Sequence, residues 1–355
     1  MTTGAEEQDD DISPRSNPVL FGHEKAEQIL LEGWKNNSLH NSWLFSGVEG
    51  IGKATLAYRF ARFLLSADEN RREEYKSLDV GNGNQVFRLV AKDSHPDLKV
   101  LERDFTETDR KKVLKAIKDG EAMSSDELKG LKKSAFIRVD DVRTINEFLS
   151  KKSSNDGWRV VIVDSVDDMN ASSANAVLKI LEEPPHKAIM ILISHNPNRL
   201  LPTIKSRCAK LNLQPLDENT VASLLRRYRP ELTEKTVKGL SHICSGSIGK
   251  AINYADNDAL LGYEKLENIV AAGKNFKLAD LTAFCDAAVA SEDSYYLTQE
   301  LVLKYIAEHI KNSRDIEAMA AVWEKSIKMF DEVERLNMDK KQVLLNVIYS
   351  ICKAN

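Results

Sequence analysis

The sequence predicts an α/β domain, a parallel sheet with flanking helices, followed by a small helical lid and an all-α C-terminal domain. Two observations carry this. Up to about residue 214 short apolar runs alternate with amphipathic stretches, the pattern of a parallel sheet whose crossovers are helices. Pro230 is the last proline of 355 residues, and the chain beyond it keeps helical apolar spacing to its end. A proline inside a helix costs about 3 kcal/mol, so a proline-free stretch of this length suits a helical region.

In chain order, Trp43-Leu44-Phe45 reads as a short buried strand, and residues 54–65 as a helix with Leu56, Phe60, Phe63 and Leu64 on one face. Leu98–Leu101 is a second strand. Asp140 or Asp141 caps a helix carrying Val142, Ile145 and Leu149. Residues 159–163 form a buried strand, and the helix after it, with Ala174, Val177, Leu178 and Leu181, is stopped by Pro184-Pro185. Residues 189–193 and 210–213 are two more strands. Residues 103–135, highly charged, read as a surface insertion. Pro215 marks the next change, to three short helices over 217–256 and longer ones from about 260. The expected boundaries are a disordered acidic tail over 1–18, the α/β domain over 19–214, the lid over 215–260 and the C-terminal helical domain over 261–355.

Composition narrows the function classes. The chain is 42% hydrophobic and 29% charged, with a formal net charge of −4. No apolar run approaches the roughly 18 residues of a membrane span, and no signal-peptide pattern is seen, so no membrane association and a cytoplasmic location are expected. A mildly acidic chain is a poor stand-alone DNA binder, because duplex affinity comes mainly from neutralised phosphates. The basic runs at 110–112 and 129–133 are either a local patch or solvated helix faces. Cys208, Cys244, Cys285 and Cys352 are scattered, with no CxxC pair. That spacing argues for reduced thiols and against a disulfide framework or a zinc site.

Two motifs carry phosphate chemistry. Gly47-Val48-Glu49-Gly50-Ile51-Gly52-Lys53-Ala54-Thr55 lies between a strand and a helix. Gly47, Gly50 and Gly52 let the backbone curl so that its N–H groups converge, the helix N-terminus adds partial positive charge, and Lys53 would reach the terminal phosphates. Such loops place a serine or threonine after the lysine to hold magnesium. Here that residue is Ala54, and Thr55 lies about 100° further round the helix. The second motif, residues 160–164, is an apolar strand ending in Asp164, the Walker B pattern, where an aspartate holds magnesium through water. Motors of this type have a glutamate next, which polarises the attacking water. Ser165 stands there, and a serine hydroxyl has far too high a pKa for that role. Both departures point to little or no hydrolysis, unless Asp167 or Asp168 takes over.

Residues 175–185 (Asn-Ala-Val-Leu-Lys-Ile-Leu-Glu-Glu-Pro-Pro) and 200–208 (Leu-Leu-Pro-Thr-Ile-Lys-Ser-Arg-Cys), with Phe21-Gly22-His23, His95-Pro96-Asp97 and residues 137–143, resemble the AAA+ clamp-loader subunits of bacterial DNA polymerase III, the delta-prime, gamma and tau group. The resemblance runs from about residue 19 to 250. It implies an AAA+ domain, and it makes the C-terminal helices a collar domain. The degenerate site favours delta-prime over the gamma and tau motors, whose reading predicts a hydroxyl after Lys53, a glutamate after Asp164 and often a four-cysteine zinc module. No cysteine precedes Cys208, so no zinc is expected. A small-molecule kinase built on the same loop would leave the Ser206-Arg207-Cys208 segment and the helical tail unexplained.

By the same resemblance Arg207 is a finger that meets the γ-phosphate of ATP held by a neighbouring subunit. Arginine suits this, being always charged and forked to match phosphate oxygens. Ser194-His195-Asn196 falls where the family has its first sensor, with contact to phosphate or a structural use both open. Residues 246–251 resemble the second sensor segment, where Lys250 replaces the usual arginine and either contacts phosphate or faces solvent. The implied cofactor is ATP or ADP, weakly held in the degenerate site without hydrolysis. Implied partners are gamma or tau and delta subunits, the beta sliding clamp, and primed DNA through the complex, with Lys179 and Lys187 as candidate backbone contacts. No catalysis is expected from the chain alone. The polymerase activity belongs to the assembly.

Overall fold

The computed structural model describes residues 13–119, 131–154, 156–313 and 315–354. The chain forms two compact units, divided between Asp217 and Glu218.

In the first unit, α1 (Glu24–Lys35) leads into β1 (Ser42–Ser46), α2 (Lys53–Ser66), α3 (Gln85–Ala91) and β2 (Leu98–Leu101). The insertion contributes α4 (Glu107–Asp119), and α5 (Val139–Ser150), β3 (Arg159–Asp164), α6 (Ala171–Glu182), β4 (Ala188–Ser194), α7 (Pro202–Lys205) and β5 (Ala209–Asn212) complete the unit. The five strands make one parallel sheet in the order β2-β3-β4-β1-β5. Successive side chains of a strand point to opposite faces. Phe45, Val160, Ile162, Ile189 and Ile191 therefore join a core with α1, α2 and α3. Leu44, Val161, Val163, Met190 and Leu192 join a second core with α5 and α6. Both faces being covered, the strands read as unbroken apolar runs rather than as alternating ones.

Buried charges fix the edges of this layer. Asp97, of the His95-Pro96-Asp97 motif, accepts from the backbone N–H of Ser154 and pairs with Arg159 at the start of β3, the contact to Arg159 being 3.5 Å. Arg62, 1% exposed, donates to the carbonyls of Arg15 and Asn17, and Arg59 donates to that of Pro18. The expected disordered tail thus differs over residues 13–18, because two buried guanidinium groups need acceptors and this backbone supplies them. Residues 1–12 lie outside the described residues, as do 120–130 of the insertion. The insertion closes on itself at its neck. Phe105 and Lys133 form an antiparallel bridge, Thr106 donates to the carbonyl of Lys132 at 2.8 Å, and Ser134 donates to that of Asp104 at 2.7 Å.

The second unit is helical: α8 (Glu218–Tyr228), α9 (Glu234–Ile243), α10 (Ile248–Asp256), α11 (Ala259–Ala271), α12 (Leu278–Ala288), α13 (Glu292–His309), α14 (Ile316–Arg335) and α15 (Lys340–Ala354). Thr233 and Ser247 cap α9 and α10 by accepting from the N–H groups of Thr236 and Lys250. The segments expected as separate lid and C-terminal domains belong to one unit here, since α11 packs on both α9 and α10. Among the described residues no helix is long and apolar enough to cross a membrane.

Candidate functional site

The glycine-rich loop connects the end of β1 to the start of α2. Gly47 sits at φ 147°, and a Cβ there would meet the carbonyl oxygen of Leu213 at 2.5 Å, so only glycine passes. Gly52, at φ 107°, opens α2. Below it lies His23, whose Nε2–H donates to the Ile51 carbonyl at 2.6 Å. Burial lowers the pKa of that ring, which keeps it a neutral prop for the loop. The sequence showed His23 as part of a motif without giving it this task.

Lys53, the first residue of α2, is 2% exposed, and its ammonium donates to the carbonyls of Gly47 at 2.8 Å and Val48 at 2.5 Å. Burial pushes its pKa down to about 8, against the opposing pull of Asp164, Glu49 and Asp167. Asp164, at the end of β3, is pushed up to about 6 by burial and by the charge of Glu102, with Lys53 acting against the shift. Ala54 packs against the first core, and the Thr55 side chain is buried. No hydroxyl therefore comes after the lysine on the loop side, although Asp164, with a pKa of about 6, is mostly ionised at neutral pH. What these residues lack for magnesium is that hydroxyl ligand.

The positions next to Asp164 are tied up. The Ser165 hydroxyl donates to Asp167 Oδ2 at 2.8 Å and accepts from the Asp167 N–H at 3.2 Å. The same carboxylate accepts from the Ser194 hydroxyl at 2.9 Å, the His195 N–H at 2.5 Å and the Asn196 N–H at 3.3 Å. Burial alone would raise the pKa of Asp167, but these donors outweigh it and the pKa falls. A carboxylate so occupied is a weak base, and Asp168 is paired with Arg103 at 3.1 Å. The first-sensor segment is likewise committed to Asp167 through its hydroxyl and two backbone amides.

Arg207 lies just after α7 in the same unit. Its Nη2 donates to Glu182 Oε1 at 2.8 Å and its Nη1 to the Thr203 carbonyl at 3.1 Å. Those bonds use two of its five N–H donors, and 35% of the side chain is exposed. The sequence gave Glu182 no role, although it sits in the Glu-Glu-Pro-Pro run that ends α6. Cys208 is buried, which pushes its thiol up to about 11 and makes it a packing residue. In the second unit, Lys250 makes an ion pair with Glu300 of α13 and is not free in solvent. Lys187 pairs with Glu69 at 3.3 Å, whereas Lys179 is exposed on α6.

The family described as DNA polymerase III, delta subunit matches residues 22–217, the whole span from the Gly22 turn through the sheet. The chain belongs to this family. It is a member of the clamp-loader group, and its relatives carry both kinds of subunit name. A DNA polymerase III subunit delta' of Pseudomonas aeruginosa is 32% identical over 209 residues, 58% of this chain and 53% of the relative. A subunit tau/gamma of Haemophilus influenzae is 26% identical over 261 residues, 72% of this chain and 33% of the relative. The delta' of Escherichia coli is 26% identical over 229 residues, 64% and 58% of the two chains. The chain thus spans between a third and somewhat over half the length of these relatives.

Proposed function

We propose that this chain is the non-motor, delta-prime-like subunit of a clamp loader, and that it serves the ATP site of a neighbouring subunit rather than its own. The observation that carries this is the state of the position after Asp164. Ser165 is spent on Asp167, and Asp167 is spent on the first-sensor segment. With Ala54 in place of the magnesium hydroxyl, hydrolysis at this loop lacks its metal ligand, its base and a free sensor. The gamma or tau motor reading needs all three.

What remains is chemistry at two places. The loop keeps the curled backbone, the helix N-terminus and Lys53, a cradle for the phosphates of ATP or ADP held without turnover. Arg207 keeps unspent donors on an exposed guanidinium, suited to a γ-phosphate on the adjacent subunit. In other nucleotidases a finger of this kind is worth about 10³–10⁵ in rate. The partners are gamma or tau and delta subunits, and through the assembly the beta clamp and primed DNA. Lys179, the exposed one of the two candidate lysines, is the residue we assign to the DNA backbone.

The test is clamp- and primer-stimulated ATP turnover in a loader reconstituted with cognate gamma and delta, after each variant is shown to assemble. Arg207→Ala should remove most turnover and Lys53→Ala should change it little. The reverse pattern would make this chain a motor and overturn the reading.

A further inference from the structure

The charged insertion is the part of the first unit that neither the phosphate loop nor Arg207 uses. Its helix α4 has two unlike faces. Asp109 is buried and Val113 and Ala116 are half-buried, so at about 100° per residue these three mark one covered side. Lys111, Leu114, Lys115 and Lys118 fall on the opposite side, and all four are exposed.

The cations of α4 divide the same way. Arg110 pairs with Asp104 at 3.1 Å and Lys112 with Asp109 at 2.7 Å, which spends the two that flank the exposed face. Lys111, Lys115 and Lys118 have no hydrogen-bond or ion-pair partner among the described residues. They follow one another at about 6 and 4.5 Å along the helix axis, a straight row of three charges. The carboxylate on this face is Glu107, in the first turn, where a helix favours negative charge.

The row is held in place. Asp109 Oδ2 accepts from the Lys132 N–H at 3.0 Å, which ties the first turn of α4 to the returning side of the neck. Lys132 adds an exposed cation there, and four residues further on Phe136 is 53% exposed, at most about 14 Å along the chain. A row of fixed cations fits a linear polyanion, and an exposed ring fits a base whose face is free, as it is in a single strand and not in a duplex.

We propose that α4 and Phe136 form a binding surface for single-stranded DNA carried by this chain alone, with Lys111, Lys115 and Lys118 on the phosphates and Phe136 against a base. The choice of DNA rests on the reading of the chain as a loader subunit. The surface is separate from the phosphate loop and from Arg207, and it needs no neighbouring subunit.

The experiment is fluorescence anisotropy of a labelled oligothymidylate with the full-length chain, without gamma or delta, at salt from about 50 to 200 mM. The wild-type chain should bind. The triple change Lys111→Ala, Lys115→Ala and Lys118→Ala should weaken binding at least tenfold at low salt and lower the slope of log affinity against log salt by about 2. Phe136→Ala should weaken it about fivefold or more with the slope unchanged. A control triple, Lys25→Ala, Lys238→Ala and Lys325→Ala, makes the same charge change at exposed lysines elsewhere and should bind as wild type. All these side chains are exposed, and unchanged melting curves confirm that each variant folds. No binding by the wild-type chain overturns the proposal, as does an equal loss in the control triple, which would reduce the effect to net charge. Poly-glutamate competing as well as the oligomer also overturns it, and assigns the face to an acidic protein partner. None of these outcomes touches the loader reading, which the turnover of the reconstituted complex tests separately.

Discussion

Arg207 is held by Glu182, Nη2 to Oε1 at 2.8 Å, so the arginine assigned to a neighbouring subunit's phosphate is parked on its own subunit by a carboxylate at the end of α6. The pair is half exposed, and exposed ion pairs contribute about 0–1 kcal/mol. Arg207→Ala should therefore lower the stability of the isolated chain by less than about 1 kcal/mol in urea melts. A larger loss would make the arginine a structural residue and weaken its assignment as a finger.

Asp164 gives a pH signature. Its folded pKa, about 6, lies above the ordinary aspartate value of about 3.9. The folded state holds a proton that the unfolded chain has released, so stability falls as pH rises from about 4 to about 6. Asp164→Asn removes this dependence. The variant should gain on the order of 2 kcal/mol over wild type at pH 7.5 and little at pH 4, read from equilibrium unfolding at both.

Asp167 predicts the opposite sign. Its lowered pKa means that its carboxylate stabilises the fold above the ordinary aspartate pKa, and that this is lost as pH falls through the folded value. Asp167→Asn cannot accept on both oxygens, so it leaves buried donors of Ser194 and the His195 backbone without a full partner. A loss of about 2–3 kcal/mol at pH 7 is expected, shrinking in acid. Equal losses at pH 7 and at about pH 2, below the ordinary aspartate value of about 3.9, would assign the effect to packing instead.

Gly47→Ala should cost about 2 kcal/mol or more in a thermal melt, since the new Cβ meets the Leu213 carbonyl oxygen in a backbone region L-residues avoid. Gly81→Ala is a useful contrast. Its φ is also positive, but no atom stands within 4 Å, so its smaller cost reports conformation without collision.

The sheet was legible in the sequence because strands covered on both faces read as apolar runs such as Val160 to Val163. The phosphate loop was legible because Gly47 and Gly52 mark positions where any other residue is strained. Partnerships between polar residues distant in sequence stayed hidden. Nothing in the chain announces that Asp167 will gather the Ser194 segment, that Glu182 will hold Arg207, or that Lys250 will meet Glu300. A charged residue in a loop has no periodicity, and its partner is set by how elements pack. The merging of lid and C-terminal helices was hidden for the same reason, since α11 continues from α10 through a single turn at Asp258 that composition does not distinguish from a domain linker.

The neck of the insertion has a practical consequence. Thr106 with Lys132, and Ser134 with Asp104, pin the two ends of the charged segment side by side before the chain departs from the sheet. The segment between Thr106 and Lys132 starts and finishes at a clasp that already exists, and the entropy of closing a longer loop grows only with the logarithm of its length. This is a place where cargo can be spliced, a fluorescent reporter or an affinity handle, with the phosphate loop and Arg207 left as they are.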